Sequence, residues 1–496
     1  MTARKLGPLP VPAAAPQPQP SPDRASAAFQ YDRTIVRWGQ GTEMTAVEAA
    51  LWHASDRATL RAASVVVEVL DITPDWRRLV HGHSWALGRV PRLRQRVVSD
   101  PLRIGPPAWA DTRVDLEHHV RRVQLGSGGT LADALAVASA MHEETFDPTR
   151  PLWQATLVEG LPGGQSAYAL KLHHAMADDQ ALVALFELLH SSVREPTAGS
   201  PQLPQGIHEP ITPLRLSAQH ALQAVAETPL AVSRAATGAA RTGATLLRHP
   251  ARSIVASLEV AQTVAESLVG GAGAGSPLLR ARSSHRAFHA IDLPTERLRA
   301  AAGRGFADGM LAAAIDALGR YHAALGTPLD ELPVAVPLQL RLDGSSDRFA
   351  RARISAPTGR MSAAQRVAVL RERVAVAEQR TTVDLVKLAA PAISRTPTAL
   401  VAQAMERSNR PLALQAFVVR GLNRDAYLAG GRVLRMFSFG PTTGCALSAT
   451  LVTHQDQACI GFNYDTAAVT DPALMSRCLD ETFAELLADT LLEPAA

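Results

Sequence analysis

Two adjacent histidines followed four residues later by an aspartate, His173-His174-Ala175-Met176-Ala177-Asp178, stand where a strand-like run ends and a helix-like run begins. A strand end plus a turn presents side chains at a sheet edge, where ligands can reach them. A histidine there titrates near neutral pH and can take a proton from a hydroxyl. An aspartate just beyond it can shape the turn by hydrogen bonding to backbone, or pair with an arginine, and so fix the imidazole. Together these residues have the equipment to activate an alcohol. The structural alternative is a histidine pair buried beside a helix cap, with Asp178 or Asp179 as the N-cap.

A second pair, His118-His119, has no aspartate at the same offset and lies in a run that reads as extended, so packing or surface is expected. Adjacent side chains on a strand point to opposite faces, so neither pair would chelate one metal ion well. The sequence has no Gly-Xaa-Ser-Xaa-Gly elbow, Walker loop or dinucleotide fingerprint.

The elements that must position the motif are readable from periodicity. Ser64–Leu70 is β-branched and strand-like, residues 74–87 read as a helix, and residues 90–98 alternate like a half-buried strand. Residues 131–144 form an Ala-rich amphipathic helix. Trp153–Val158 and Ser166–Leu172 read as strands separated by the turn signal Leu161-Pro162-Gly163-Gly164, and residues 180–192 have helical spacing. Later, residues 287–293, 332–341, 444–451 and 458–464 read as strands, with helices over 311–325 and 472–487. The expectation is an α/β (α+β) protein with an N-terminal unit over 42–197 and a C-terminal unit over 286–496.

The remaining sequence reads differently. Seven prolines between Pro8 and Pro22 make residues 1–41 an extended, disordered tail, without a signal-peptide apolar run. Residues 198–285 read as a connector with Ala-rich helices, ending in Gly270-Gly271-Ala272-Gly273-Ala274-Gly275. Its arginines and few acidic residues would suit a basic surface resting on an anionic membrane, but helical stripes are more often packing faces, which favours a connector with a solvated face.

Composition sets the outer limits. The chain has 496 residues, 47% hydrophobic and 19% charged, enough apolar material for about three ordinary domains or two large ones. Three cysteines, all near the C-terminus, are too few for a disulfide scaffold or a cysteine-ligated zinc site, which points to a reducing compartment. The net charge is +4, but the arginines are dispersed, which argues against nucleic-acid binding. No window of about 18 uninterrupted apolar residues suits a membrane span, so the expectation is a soluble or peripheral protein.

The motif resembles the HHxxxDG signature of the coenzyme-A-dependent acyltransferase superfamily. Its flanks, Met44–Leu51, Val90–Arg96, Leu116–Val120, Phe146–Trp153, Leu157–Leu161 and Ala426–Val433, are similar to successive landmarks of the bacterial wax ester synthase/diacylglycerol acyltransferase family. The resemblance implies two domains of similar fold, each a mixed sheet with helices, and an active-site channel between them. It implies transfer of a fatty acyl group from acyl-CoA, as co-substrate and without a cofactor, to a long-chain alcohol or diacylglycerol, giving wax ester or triacylglycerol. His174 would be the general base, His173 its support, and Asp178 would hold the turn through an arginine. It also implies a cytoplasmic protein, peripheral at the inner membrane or lipid droplets.

Three departures accompany the resemblance. Asp179 replaces the signature glycine, Ala307-Asp308 stands for an Asn-Asp pair, and Phe417–Leu422 keeps only Val419 and Gly421 of a Ser-Asn-Val-Pro-Gly-Pro stretch. They raise two alternatives: a weakened paralogue that binds lipid or a partner acyltransferase, and an acyltransferase tailoring a secondary metabolite.

Overall fold

The computed structural model describes residues 38, 41–55, 57–101, 105–177, 179–195, 211–222, 275–302, 306–337, 351–380, 403, 406–441 and 444–492. Most of the proline-rich tail and most of the connector, including 223–274, lie outside the described residues. In the first half, Thr45 and Glu48 form a reciprocal capping box at the start of α1 (Ala46–Ala54). Strand β1 (Ala63–Leu70) is buried along its whole length. Asp75 caps α2 (Trp76–Arg89), and β2 (Gln95–Val98) pairs with β3 (Ala108–Asp111) in a separate ribbon. Then come α3 (Leu116–His119), β4 (Val120–Gln124), α4 (Leu131–Glu143), β5 (Trp153–Glu159), β6 (Ser166–His173) and α5 (Asp179–Leu189).

Two local expectations are corrected. Residues 90–98 are not one strand: Pro91 opens a 3-10 turn over Pro91–Arg94, and pairing begins only at Gln95. Proline fixes φ and has no amide donor, so it suits a first helical position better than a ladder. The His118-His119 run is a helical turn, because the Asp115 carboxylate accepts from the Glu117 N–H and caps it.

The second half contains β7 (Arg286–Pro294), α6 (Thr295–Ala302), α7 (Phe306–Ala324), β8 (Glu331–Pro337), β9 (Arg351–Pro357), α8 (Ala363–Arg380) and β10 (Leu414–Arg420). The chain continues through β11 (Tyr427–Leu428), β12 (Gly431–Phe439), β13 (Leu447–His454), β14 (Gln457–Asp465) and α9 (Pro472–Leu492). Two six-stranded mixed sheets result, in the orders β11-β12-β1-β6-β5-β4 and β7-β14-β13-β10-β8-β9. The chain is therefore α/β in both halves. Strand β12 returns from the second half to pair antiparallel with β1, from Val65↔Phe439 to Leu70↔Val433. The first sheet is thus completed by sequence far downstream.

This return path packs the two sheets together. Phe439 of β12 stacks on Phe288 of β7 with centroids 4.1 Å apart. Gly461 of β14 lies so close to β12 that a Cβ there would meet the Ser438 carbonyl oxygen at 2.4 Å. Backbone cannot yield as a flexible side chain can. Gly461→Ala should cost about 3 kcal/mol of stability, at the upper end of overpacking effects, measured by chemical denaturation. Across the seam, Ser139 Oγ of α4 donates to the Arg286 carbonyl, and the Arg286 N–H donates to Glu143. Among the described residues, no helix is long and apolar enough to cross a membrane.

Candidate active site

Alternation along β1 sends Val66 and Leu70 into the core under α2 and α5, and Val65, Val67 and Val69 into the core beside α4. Strand β6 runs antiparallel beside it, with His173 opposite Ala63 and Leu172 opposite Ser64. The strand ends at His173. The His174 N–H still donates to Ala62 O at 2.7 Å, and a turn closed by Met176 N–H to His173 O follows. Trp38, inside the segment read as tail, is buried and donates its indole N–H to Met176 O at 2.6 Å, pinning that turn.

His173 is enclosed and its tautomer is determined by its partners. Nδ1 accepts from the Ala175 N–H at 3.0 Å, so the ring proton sits on Nε2 and donates to Ser55 Oγ at 2.8 Å. Ser55 in turn donates to Leu51 O and accepts from the Ala62 N–H. Trp52 and Phe146 meet the ring edge-on at 5.7 and 5.8 Å. Phe146 is held at the head of a loop in which Asp147 accepts from Thr149 and Arg150. Burial, assisted by neighbouring His174 and Lys171, pushes the His173 pKa down to about 3. His173 is therefore a neutral donor locked into its cage and has no lone pair free for a substrate proton.

His174 has a different environment. It is half-buried, and its Nε2 lies 2.7 Å from Ser64 Oγ. Periodicity placed Ser64 on a strand but left no sign that β1 would lie beside the motif; Ser55, Trp38 and Phe146 were equally unmarked as site residues. Ser64 holds the one hydrogen-bonding position of His174 Nε2, so Ser64→Ala should raise kcat/KM a few-fold by removing a competitor for that nitrogen, with stability little changed; steady-state kinetics and thermal melts measure both. Lys171, two residues before His173, is buried over the Phe146 ring and donates to Glu144 O. Burial pushes its pKa down to about 7, against the pull of Glu144.

Asp178 lies outside the described residues. Asp179 begins α5 in helical conformation, so this position has no left-handed backbone to accommodate. Asp308, near the start of α7, is paired with Arg371 of α8 at 2.8 Å. Within the 417–422 stretch, Val419, Gly421 and Leu422 face Val66, Leu182 and Phe186 across a narrow apolar cavity. Those second-half residues are thereby brought to the His174 side of β1. The other pair has a packing role: His119 Nδ1 donates to Trp153 O at 2.7 Å and its ring stacks on that indole.

Residues 42–309 match the wax ester synthase/diacylglycerol acyltransferase catalytic domain, and residues 347–487 match the C-terminal domain of the same family. A Mycobacterium tuberculosis H37Rv protein provisionally named diacylglycerol O-acyltransferase is 32% identical over 456 residues, covering 90% of this chain and 92% of its own. A similarly named Mycobacterium bovis protein is 27% identical over 445 residues, covering 85% and 81%. Among solved structures, the wax ester synthase/diacylglycerol acyltransferase of Marinobacter aquaeolei VT8 superposes with a TM-score of 0.62 at 20% identity, covering 90% of this chain and 100% of that one. The first condensation domain of the calcium-dependent antibiotic synthetase follows the same fold, with a TM-score of 0.52 at 18% identity over 92% and 98% of the two chains. The chain belongs to the wax ester synthase/diacylglycerol acyltransferase family and is an acyltransferase.

Proposed function

We propose that this protein transfers a fatty acyl group from acyl-CoA to a long-chain alcohol or diacylglycerol by direct attack, with His174 as general base. The observation that carries the reading is the 2.7 Å contact between His174 Nε2 and Ser64 Oγ: the ring nitrogen already engages a hydroxyl at hydrogen-bond distance. The His173 cage supports it, since both ring nitrogens of the buried His173 are committed and His174 is the half-buried member of the pair. An acceptor alcohol takes up the same relation to Nε2 and gives it a proton. The alkoxide attacks the thioester carbon, a tetrahedral oxyanion forms, and the C–S bond breaks. Coenzyme A leaves as a thiolate that takes the proton back from His174. His173 keeps the turn rigid, and the role proposed for Asp178 is to hold that turn through an arginine.

The test is an acceptor screen. Purified protein is incubated with labelled palmitoyl-CoA and hexadecanol or dioleoylglycerol, with ester detected by mass spectrometry. Ester formation with stoichiometric release of free CoA is expected. If no ester forms and CoA release is the same in His174→Ala, the catalytic reading is wrong. Turnover of neither lipid acceptor but of another alcohol would instead favour the tailoring of a secondary metabolite.

A further inference from the structure

A groove on the first half has room for a small molecule and is lined by neither histidine of the motif. It lies between α2, the C-terminal end of α5 and the β11–β12 turn, and holds about 830 Å³, within the usual range of ligand sites. Helix α5 starts just after the motif and reaches the groove at its far end, through Leu188 and Leu189, about 15 Å along its axis. Gly82, in the middle of α2, lines it as well. Glycine weakens a helix interior, and a Cβ at this position would meet nothing within 4 Å. Packing among the described residues therefore does not require this glycine, and what the missing side chain leaves is the groove.

The two sides of the groove differ in chemistry. Leu188, Leu189 and Tyr427 form a half-buried apolar wall over the buried Leu79 and Leu428. On the α2 lip, Arg77, His81 and Trp85 recur every four residues and share one stripe. Arg77 and His81 are exposed, and neither has a hydrogen bond or ion pair among the described residues. The other charged groups nearby are engaged. Arg78 donates to Arg194 O at 3.0 Å and lies 3.7 Å from Glu195. Glu187, the carboxylate in the lining, is held by Arg424 at 2.7 Å; Asp75 accepts from the Arg78 N–H, and His190 at the floor is paired with Glu68. Arg77 also stands in the first turn of α2, where the helix dipole favours an anion and disfavours a cation.

A basic lip beside an apolar wall fits an acidic peptide or an aliphatic acid, and the neighbouring strand edge decides between them. Tyr427 on the edge strand β11 already exchanges both backbone hydrogen bonds with Ser191, at 3.0 Å each, so a peptide finds no ladder to extend there. We propose that this groove binds a free fatty acid, with its carboxylate on Arg77 and His81 and its chain along Leu188, Leu189 and Tyr427. The site is separate from the histidine motif and does not depend on the acyl-transfer reading.

The test uses the full chain and dodecanoate. Equilibrium dialysis of the labelled acid gives its Kd, and a diazirine on its terminal carbon maps the site by photo-cross-linking. Cross-links are expected on Leu188, Leu189 and Tyr427. The double substitution Arg77→Ala and His81→Ala, at two exposed positions, should weaken binding at least about tenfold, as loss of a charge-assisted pair does. Gly82→Leu should fill the groove and abolish binding. Leucine favours the helix and its Cβ meets nothing, so the melting temperature should not fall. Dodecyltrimethylammonium, with the same chain and the opposite charge, should bind at least about tenfold more weakly than dodecanoate. Cross-links confined to other parts of the chain, a Kd unmoved in either variant, or equal binding of the cationic amphiphile overturns the inference. Tighter binding of hexaglutamate than of dodecanoate overturns it too, by making the lip a peptide site.

Discussion

His174→Ala should lower kcat by about 10²–10⁴-fold, the range over which a positioned general base contributes, while shifting the melting temperature little. The small structural effect follows from the side chain's half-buried position. Its backbone N–H, which holds the turn to Ala62, survives the substitution. His173→Ala should behave in the opposite sense. It removes a fully enclosed ring, leaves Ser55 and the Ala175 N–H without their partner, and should cost about 3 kcal/mol of stability. Denaturation curves beside single-turnover kinetics separate the two roles. Equal loss of stability in both variants, or undiminished chemistry in His174→Ala, would contradict this division of labour.

Stability should fall steeply as the solution is acidified from about pH 7 to pH 5. Burial holds four histidines neutral in the folded chain: His142 and His173 down to about 3, His83 and His119 down to about 4. In the unfolded chain each titrates near 6.5. Below that pH the unfolded state binds more protons, and each group can contribute a slope of up to about 1.4 kcal/mol per pH unit. His190 acts in the opposite sense. Its folded pKa is raised, so its contribution is present below 6.5 and is lost as the pH rises through that raised value. His118, His322 and His454 are also lowered by burial, so among the described residues the lowered histidines outnumber the raised one and make the fold acid-labile. His142→Gln should flatten the profile, because an amide N–H can still donate to Ala63 O, as the imidazole does, without taking up a proton. Urea denaturation across this pH range measures both slopes, and a flat wild-type profile would refute the expectation.

Local physics made much of this architecture readable from the chain. The Pro162-Gly163-Gly164 turn separates two runs that pair as an antiparallel hairpin, and Gly163 takes the positive φ of 70° that such a turn requires. Thr130 and Asp133 cap α4 reciprocally. The histidine motif falls at a strand end because the alternating run of β6 stops there. Its resemblance to a known signature, with the flanking landmarks, was sufficient to indicate the family.

Other features depend on pairings between distant segments, which periodicity does not encode. A strand's pattern says which of its faces are buried but not which strand lies beside it. β1 is apolar on both faces apart from Ser64 and Glu68, and it finds one neighbour in β6 and the other in β12, from the opposite half of the chain. That choice places Ser64 at His174 and puts Glu68 opposite Met436. The chain by itself determined the motif, the family and most element boundaries, because these rest on neighbours in sequence. Which histidine is caged and which one is left half-buried beside Ser64 were decided only by tertiary structure. They arise when segments remote in sequence bury their shared faces together.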